Sequence, residues 1–420
     1  MDLLPGRKIL VGELPKYIVL NEKRILSTGL FNYASIELKN WNISEHTAEI
    51  QVTLQENWYI YPAPIFELAD RNFNVWWEEQ GRSLDRVNYG VRLDHINTTG
   101  NYDRLKLKFQ FGYTRKYEIQ YAYRYLQNGR WGFETNTLFA ESREAGYITE
   151  GNKTLFFRAE DDRKVRSRFR TGIALSHWPD AFFRQSFRIE FHRNTIDEAI
   201  SQDLNPNYFE DGASQLRFFL FNYDTQYDQR VLKLYPEGGY RLRLNVKKEG
   251  FGIFREFNNL SVTGSVDLYK KVRKKLIFGT SLKAKSNLIR NTVAFANNTG
   301  LGYGEDIIRG YELYLLDGTD WLMSKSNISF KIFESLVDNR FMPIRQFKKL
   351  DLKVYLRWMT DMGIVYEPTY IEGNDLNNRW LIGYGPAIDL IFFNTVWLNV
   401  EYNFNHLGEG GFYIKSQNAF

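Results

Sequence analysis

The 420-residue chain has no cysteine, which excludes a disulfide framework and any thiolate metal centre. Histidine is nearly as scarce. The five residues at 46, 95, 177, 192 and 406 lie far apart without ligand spacing, so no metal and no cofactor is expected. No stretch approaches the roughly 18 uninterrupted apolar residues of a spanning helix, which excludes a helical membrane protein. Nucleophile elbows, phosphate loops and HExxH or paired-His motifs are missing too, and no enzymatic activity is expected. The net charge of +5 is small for this length and points away from nucleic acid as a partner.

Aromatic residues, by contrast, are abundant: 16% of the chain, with 27 Tyr and 32 Phe. A soluble core does not need so much tyrosine. Membrane barrels do, because Tyr, Trp and Phe form girdles at both lipid–water boundaries. The patterning agrees. From about residue 72 onward the period is two. Leu105, Leu107, Phe109, Phe111 and Tyr113 alternate with Lys106, Lys108, Gln110 and Thr114. Leu352, Val354, Leu356 and Trp358 alternate with Asp351, Lys353, Tyr355 and Arg357. Such runs place an apolar face opposite a charged one.

About sixteen runs of this kind occur, near the roughly ten residues that a tilted membrane strand requires. They begin near residues 72, 87, 103, 117, 131, 165, 182, 215, 238, 257, 275, 325, 350, 380, 396 and 411. An even number closes an antiparallel barrel without a free edge in lipid. The expected fold is therefore all-β, a 16-stranded antiparallel transmembrane barrel over 62–420. Connections at 144–164, 197–214, 288–324 and 367–379 are long and alternate with short ones, the asymmetry of outer-membrane barrels. Segments 228–237 and 336–349 are longer than the short side predicts. The chain ends at Phe420 on a last amphipathic strand, which resembles a C-terminal barrel-assembly signal. Met1 precedes Asp2-Leu3-Leu4-Pro5 with no leader-like stretch, so a processed or incomplete version of the exported product is expected.

Residues 1–61 read differently. Ile18, Glu22, Ile25 and Leu26 have helical spacing, with Gly29 as a C-terminal stop. Strands over 34–40 and 48–56 follow. The order helix–strand–strand looks like the second half of a POTRA module, and Ser27-Thr28-Gly29-Leu30-Phe31 resembles the end of that module's second helix. Pro62-Ala63-Pro64 reads as a stiff boundary.

Within the connection at 288–324 stands Ile308-Arg309-Gly310-Tyr311. Half a POTRA, sixteen strands and Arg-Gly-Tyr in a sixth outer loop together resemble the BamA/TamA superfamily of outer-membrane assembly factors. The two-partner secretion transporters belong to the same superfamily. The junction from Asn57-Trp58-Tyr59 through Asp70-Arg71-Asn72-Phe73-Asn74 is similar to that of Bacteroidetes members.

The resemblance implies a loop folded back into the lumen, its Arg309 meeting an acid on the thirteenth strand. The matching residues are Asp361 and Gly363, and parity independently puts Asp361 on the polar face. Such a charge-assisted hydrogen bond contributes about 1.5–3 kcal/mol. Members often carry a second acid on the twelfth strand; here the nearest is Glu334.

The resemblance further implies a Gram-negative outer-membrane location with the N-terminal module in the periplasm. The implied partners are membrane lipid and lipopolysaccharide, unfolded outer-membrane clients, and accessory lipoproteins or a larger complex. The seam is expected between a short strand over 72–79, with Asn72, Phe73 and Val75, and the last strand over 411–420, with Gly411, Phe412, Ile414 and Phe420. A short strand and nearby glycines make that pair the weakest. Three functions follow as expectations: insertion of clients at the seam, secretion of a polypeptide through the lumen, or service as a POTRA-poor subunit of a larger complex.

Overall fold

The computed structural model describes residues 9–418 apart from 28–29, 57, 71–72, 102, 127–128, 181, 231–232, 255–256, 290–293, 339–348, 369–372 and 393–395. Near the N-terminus a helix (Leu14–Ser27) precedes a two-stranded hairpin (Phe31–Asn42 and Thr47–Glu56). Ile25 of the helix is buried with Ile36 of the hairpin, and Glu22 accepts the Ile36 amide at 2.8 Å. The expected stop, Gly29, lies outside the described residues.

Sixteen further strands form one antiparallel sheet, paired in chain order. Those that matter below are barrel strands 1 (Ile60–Leu68), 2 (Val87–Ile96), 12 (Asp320–Asp338), 13 (Lys349–Tyr366), 14 (Leu381–Phe392), 15 (Val396–Asn405) and 16 (Gly410–Asn418). The period-two pattern dictates their faces. On strand 13, Leu356 and Trp358 are 49% and 52% exposed on the outside, whereas Met359 and Asp361 on the inside are fully buried. An apolar exterior around a polar interior inverts the arrangement of a soluble domain and suits an apolar surround.

Connections are mostly long at one end of the sheet and mostly short at the other. At the long-loop end, the connection after strand 5 (Trp131–Ser142) carries its own hairpin, Glu144–Glu150 with Lys153–Arg158. Its tip, Asn152, is buried between two other loops. Asn152 receives the Leu315 amide on its carbonyl at 2.8 Å. Its own amide donates to Asn374 at 2.7 Å, and its side chain donates to Asn377 at 2.9 Å. Loops from distant parts of the ring therefore meet over the opening.

The strand count matches the expectation, but strand 1 does not lie over 72–79. It is Ile60–Leu68, and the span that carries Val75 is a helical turn, Val75–Glu79. The reason is spacing: Phe73, Trp76 and Trp77 stand at i, i+3 and i+4, which brings aromatic rings together on a helix and not on a strand. Phe73 and Trp77 stack at 5.4 Å, and Val75 is buried. Asn72 lies outside the described residues, as does Phe420. Gly411, Phe412 and Ile414 are on the last strand. The side chain of Asn74 donates to the Phe412 carbonyl at 2.7 Å, which brings the two ends of the sheet together. Among the described residues, however, no ladder pairing joins strands 1 and 16.

Candidate functional site

The sixth connection at the long-loop end joins strand 11 (Leu276–Asn287) to strand 12. It turns inward because one side of it is apolar. Leu301, Ile308, Tyr311 and Leu316 are buried against Trp321, Val365 and Leu381 of the wall. Burial of each large side chain stabilises by about 1.5–3 kcal/mol, so the apolar packing outweighs any single ion pair.

Arg309 then meets its partner. Its Nη1 donates to Asp361 Oδ1 at 2.5 Å, and its backbone amide lies 3.2 Å from Oδ2 of the same carboxylate. The second acid is not Glu334, which pairs with Lys331 at 3.0 Å instead. It is Glu401 of strand 15, whose Oε2 is 3.5 Å from Arg309 Nε. Glu312, three residues along the loop, accepts from Asn403 at 3.0 Å and lies 3.6 Å from Lys415. Lys415 also pairs with Glu401, and Lys325 lies 3.9 Å from Asp361. Arg309, Lys325 and Lys415 thus face Asp361, Glu401 and Glu312. The cluster is neutral, as buried charges must be.

Three glycines make the close approach feasible. Gly310 has φ +82°, and a Cβ there would stand 2.6 Å from the Phe404 carbonyl oxygen. The Gly310 carbonyl accepts from Asn405 at 2.8 Å. On the wall, a Cβ at Gly383 would overlap the Arg309 carbonyl oxygen. Ile308 rests against Gly363 in the same way. The Tyr311 hydroxyl bonds to the His406 ring.

A second segment docks from the opposite end. The turn between strands 8 (Gln215–Asp228) and 9 (Gly239–Glu249), unexpectedly long in the sequence, rises into the lumen. The Tyr235 hydroxyl bonds to Asp389 Oδ2 at 2.8 Å and to Ser329 at 3.1 Å. Glu237 accepts from the Tyr355 hydroxyl at 3.0 Å and from Lys271 at 2.7 Å. Burial alone would raise the Glu237 carboxyl, but Lys271, Tyr355 and Lys331 hold it down to about 2. Fully buried Asp389 also receives Arg357, Trp397 and Asn399 at 2.9, 3.0 and 2.8 Å.

This arrangement offers a plugged polar lumen and two sheet edges that share no ladder pairing among the described residues. Among the described residues no group of acids or histidines is placed to hold a metal.

Solved structures share the fold. The chain superposes on BamA from Haemophilus ducreyi lacking POTRA domains 1-3 with a TM-score of 0.62 at 11% identity, over 96% of this chain and 77% of that one. CdiB from Escherichia coli gives 0.55 at 12% identity, over 98% and 70%. CdiB from Acinetobacter baumannii gives 0.51 at 13%, over 99% and 70%. The fold is that of the BamA and CdiB barrels. No protein-family model and no curated protein matches the sequence.

Ile308, Arg309, Gly310 and Tyr311 lie together with Asp361 and Gly363 in this structure. Sequence reasoning missed Glu401, Glu312, Lys415 and Gly383. Their signal was weak but present: Trp397, Asn399, Glu401 and Asn403 share one parity, so Glu401 is an acid on an inward polar face. Tyr235 gave no signal, since Leu234-Tyr235-Pro236-Glu237-Gly238 reads as an ordinary turn.

Proposed function

We propose that this chain is an outer-membrane barrel that assists unfolded proteins into the membrane, acting at its seam and not through its lumen. The observation that carries the reading is the contrast between the two. Docked segments occupy the lumen from both ends, while the edge strands share no ladder bond among the described residues. In an apolar surround, unpaired backbone groups are stabilised by any extended segment that pairs with them. In this reading the long-loop end faces outward from a Gram-negative cell. The helix and hairpin of residues 14–56 act as a partial POTRA-like module on the periplasmic side. Outer-membrane lipid and lipopolysaccharide surround the barrel, and unfolded outer-membrane proteins are its clients. Accessory lipoproteins or a larger complex supply what a full POTRA array would. No catalytic step is assigned.

The test uses the absence of native cysteine. Cysteines at Phe66 and Phe412, one on each edge, are oxidised to lock the seam. Insertion of a client barrel into vesicles should stop and return on reduction. Unchanged insertion by the locked barrel would sink the seam reading. Secretion through the lumen is the alternative, and it requires both docked segments to leave. It predicts a steady conductance for Arg309→Ala in planar bilayers, above that of the native chain.

A further inference from the structure

The seam has two edges, and they are chemically unlike. On strand 1 the odd-numbered residues face strand 2. Just beyond either end of the strand, Ile96 donates to the Tyr59 carbonyl at 2.7 Å and Ala69 to the Arg86 carbonyl at 2.8 Å. Between them, Tyr61 pairs with Asp94, Ala63 with Arg92 and Ile65 with Gly90. In an antiparallel ladder the intervening residues turn their N–H and C=O the other way. Ile60, Pro62, Pro64, Phe66 and Leu68 therefore face the free edge. Pro62 and Pro64 have no N–H to offer. Between the donors of Ile60 and Phe66, this edge runs roughly 20 Å without one, at about 3.3 Å per residue.

Strand 16 presents the opposite case. The Asn405 amide donates to the Glu409 carbonyl at 3.0 Å, and Asn403 pairs with Gly411 and Glu401 with Tyr413. Gly410, Phe412, Ile414, Ser416 and Asn418 thus face the free edge, and none is proline. The bond from Asn74 to the Phe412 carbonyl independently fixes this direction.

We propose that an incoming strand pairs with the edge of strand 16, and that the prolines of strand 1 close the other edge to strand addition. The proposal rests on the seam reading above and adds which edge does the work. The occupant is an extended segment of an unfolded barrel protein with alternating apolar and polar residues. Phe412 and Ile414 are 67% and 66% exposed on the outer face, whereas Tyr413 is buried inward. An added strand continues both faces only if it carries the same alternation in register. Proline on an edge is a known guard against unwanted pairing. Asn74, on the segment that follows strand 1, holds one strand-16 carbonyl until the incoming strand replaces it.

The test uses the full chain in phosphatidylethanolamine–phosphatidylglycerol vesicles, with one cysteine on either edge: Phe66→Cys or Ile414→Cys. The probe is a synthetic peptide copying residues 352–361 with an added terminal cysteine. Disulfide yield should be about tenfold higher at Ile414→Cys, as expected for two missing hydrogen bonds on the other edge. Adding Pro62→Val and Pro64→Val to Phe66→Cys should bring its yield up to that of Ile414→Cys. Heat-dependent gel mobility shows which variants are folded. Should the valine variant not fold, Asn74→Ala serves in its place, and it should raise the yield at Ile414→Cys. Equal yields, a preference for Phe66→Cys, or no response to these changes overturns the choice of edge alone. No yield at either site overturns the seam reading with it.

Discussion

The two segments that enter the lumen are held by anchors of different extent. The sixth long loop is anchored at many points: an apolar patch around Tyr311, the Arg309–Asp361 pair, and glycines that let backbone touch backbone. The turn between strands 8 and 9 has a smaller anchor: Tyr235 packs on Tyr355 at 4.6 Å beside Ile277 and Ile391 and bonds to Asp389, and Glu237 stands among Tyr355, Lys271 and Lys331. A large anchor keeps its segment docked when one contact is lost, even though that segment then opens more often, whereas a small one has fewer contacts in reserve. The loop therefore reads as a permanent fitting and the turn as the more readily released of the two. If a molecule enters this barrel, the short-turn end gives way first.

The largest expected effect concerns the loop. Asp361→Ala leaves Arg309 with Glu401 alone at 3.5 Å. Removing one partner of a buried pair costs about 3–5 kcal/mol, so trypsin cleavage after Arg309 should accelerate on the order of 10²–10³-fold. Cleavage as slow as in the native chain would mean that the apolar patch alone holds the loop.

Acidity separates the two segments next. Burial pushes the Asp317 carboxyl up to about 6 from its ordinary 3.8, despite the hydrogen bond from Tyr303. A raised carboxyl favours the protonated form, so the loop is held most firmly below pH 4 and loosens as pH rises through 6. The full difference is roughly 3 kcal/mol at most. Glu237 has the opposite sign. Held down to about 2, it supports the turn above its ordinary value of 4.5 and loses that support as pH falls toward 2. Hydrogen exchange, corrected for its intrinsic pH dependence, should show residues 300–317 opening more between pH 4 and 7. Asp317→Asn should abolish the trend, and residues 233–238 should not follow it.

How much of this was legible in the sequence depends on range. Fifteen of the sixteen strands were readable because period two is a local property. Strand 1 was misplaced because two prolines look like a strand breaker. They break a strand only where the ladder needs their N–H, and here they face the free edge. Asp361 was readable from its own strand's parity, together with the family resemblance of Arg309-Gly310-Tyr311. Glu401 and Gly383 were not, because nothing local says that strands 14 and 15 stand beside the docked loop. The Tyr235 contact with Asp389 spans distant parts of the chain and has no local trace.

A smaller effect tests the close approach of loop and wall. Gly383→Ala puts a methyl group into the Arg309 carbonyl, and overpacking of this kind costs about 1–3 kcal/mol. Exchange of the loop amides should rise by about one to two decades while the turn stays unchanged. Exchange that remains native-like would show that the wall yields around the methyl.

The smallest expected effect falls on the turn. Tyr235→Phe removes one hydroxyl, but Asp389 keeps Arg357, Trp397 and Asn399. No buried charge is orphaned, so the loss is that of one hydrogen bond, about 1 kcal/mol. Exchange at residues 233–238 should rise about fivefold. The informative readout is the loop. Asn399, which holds Asp389, and Glu401, which faces Arg309, stand two residues apart on the same face of strand 15. That spacing is about 7 Å along the strand. If Tyr235→Phe leaves residues 300–317 unchanged, the segments dock independently and the comparison drawn above stands. If the loop loosens as well, strand 15 couples them, and the lumen opens as one unit from either end.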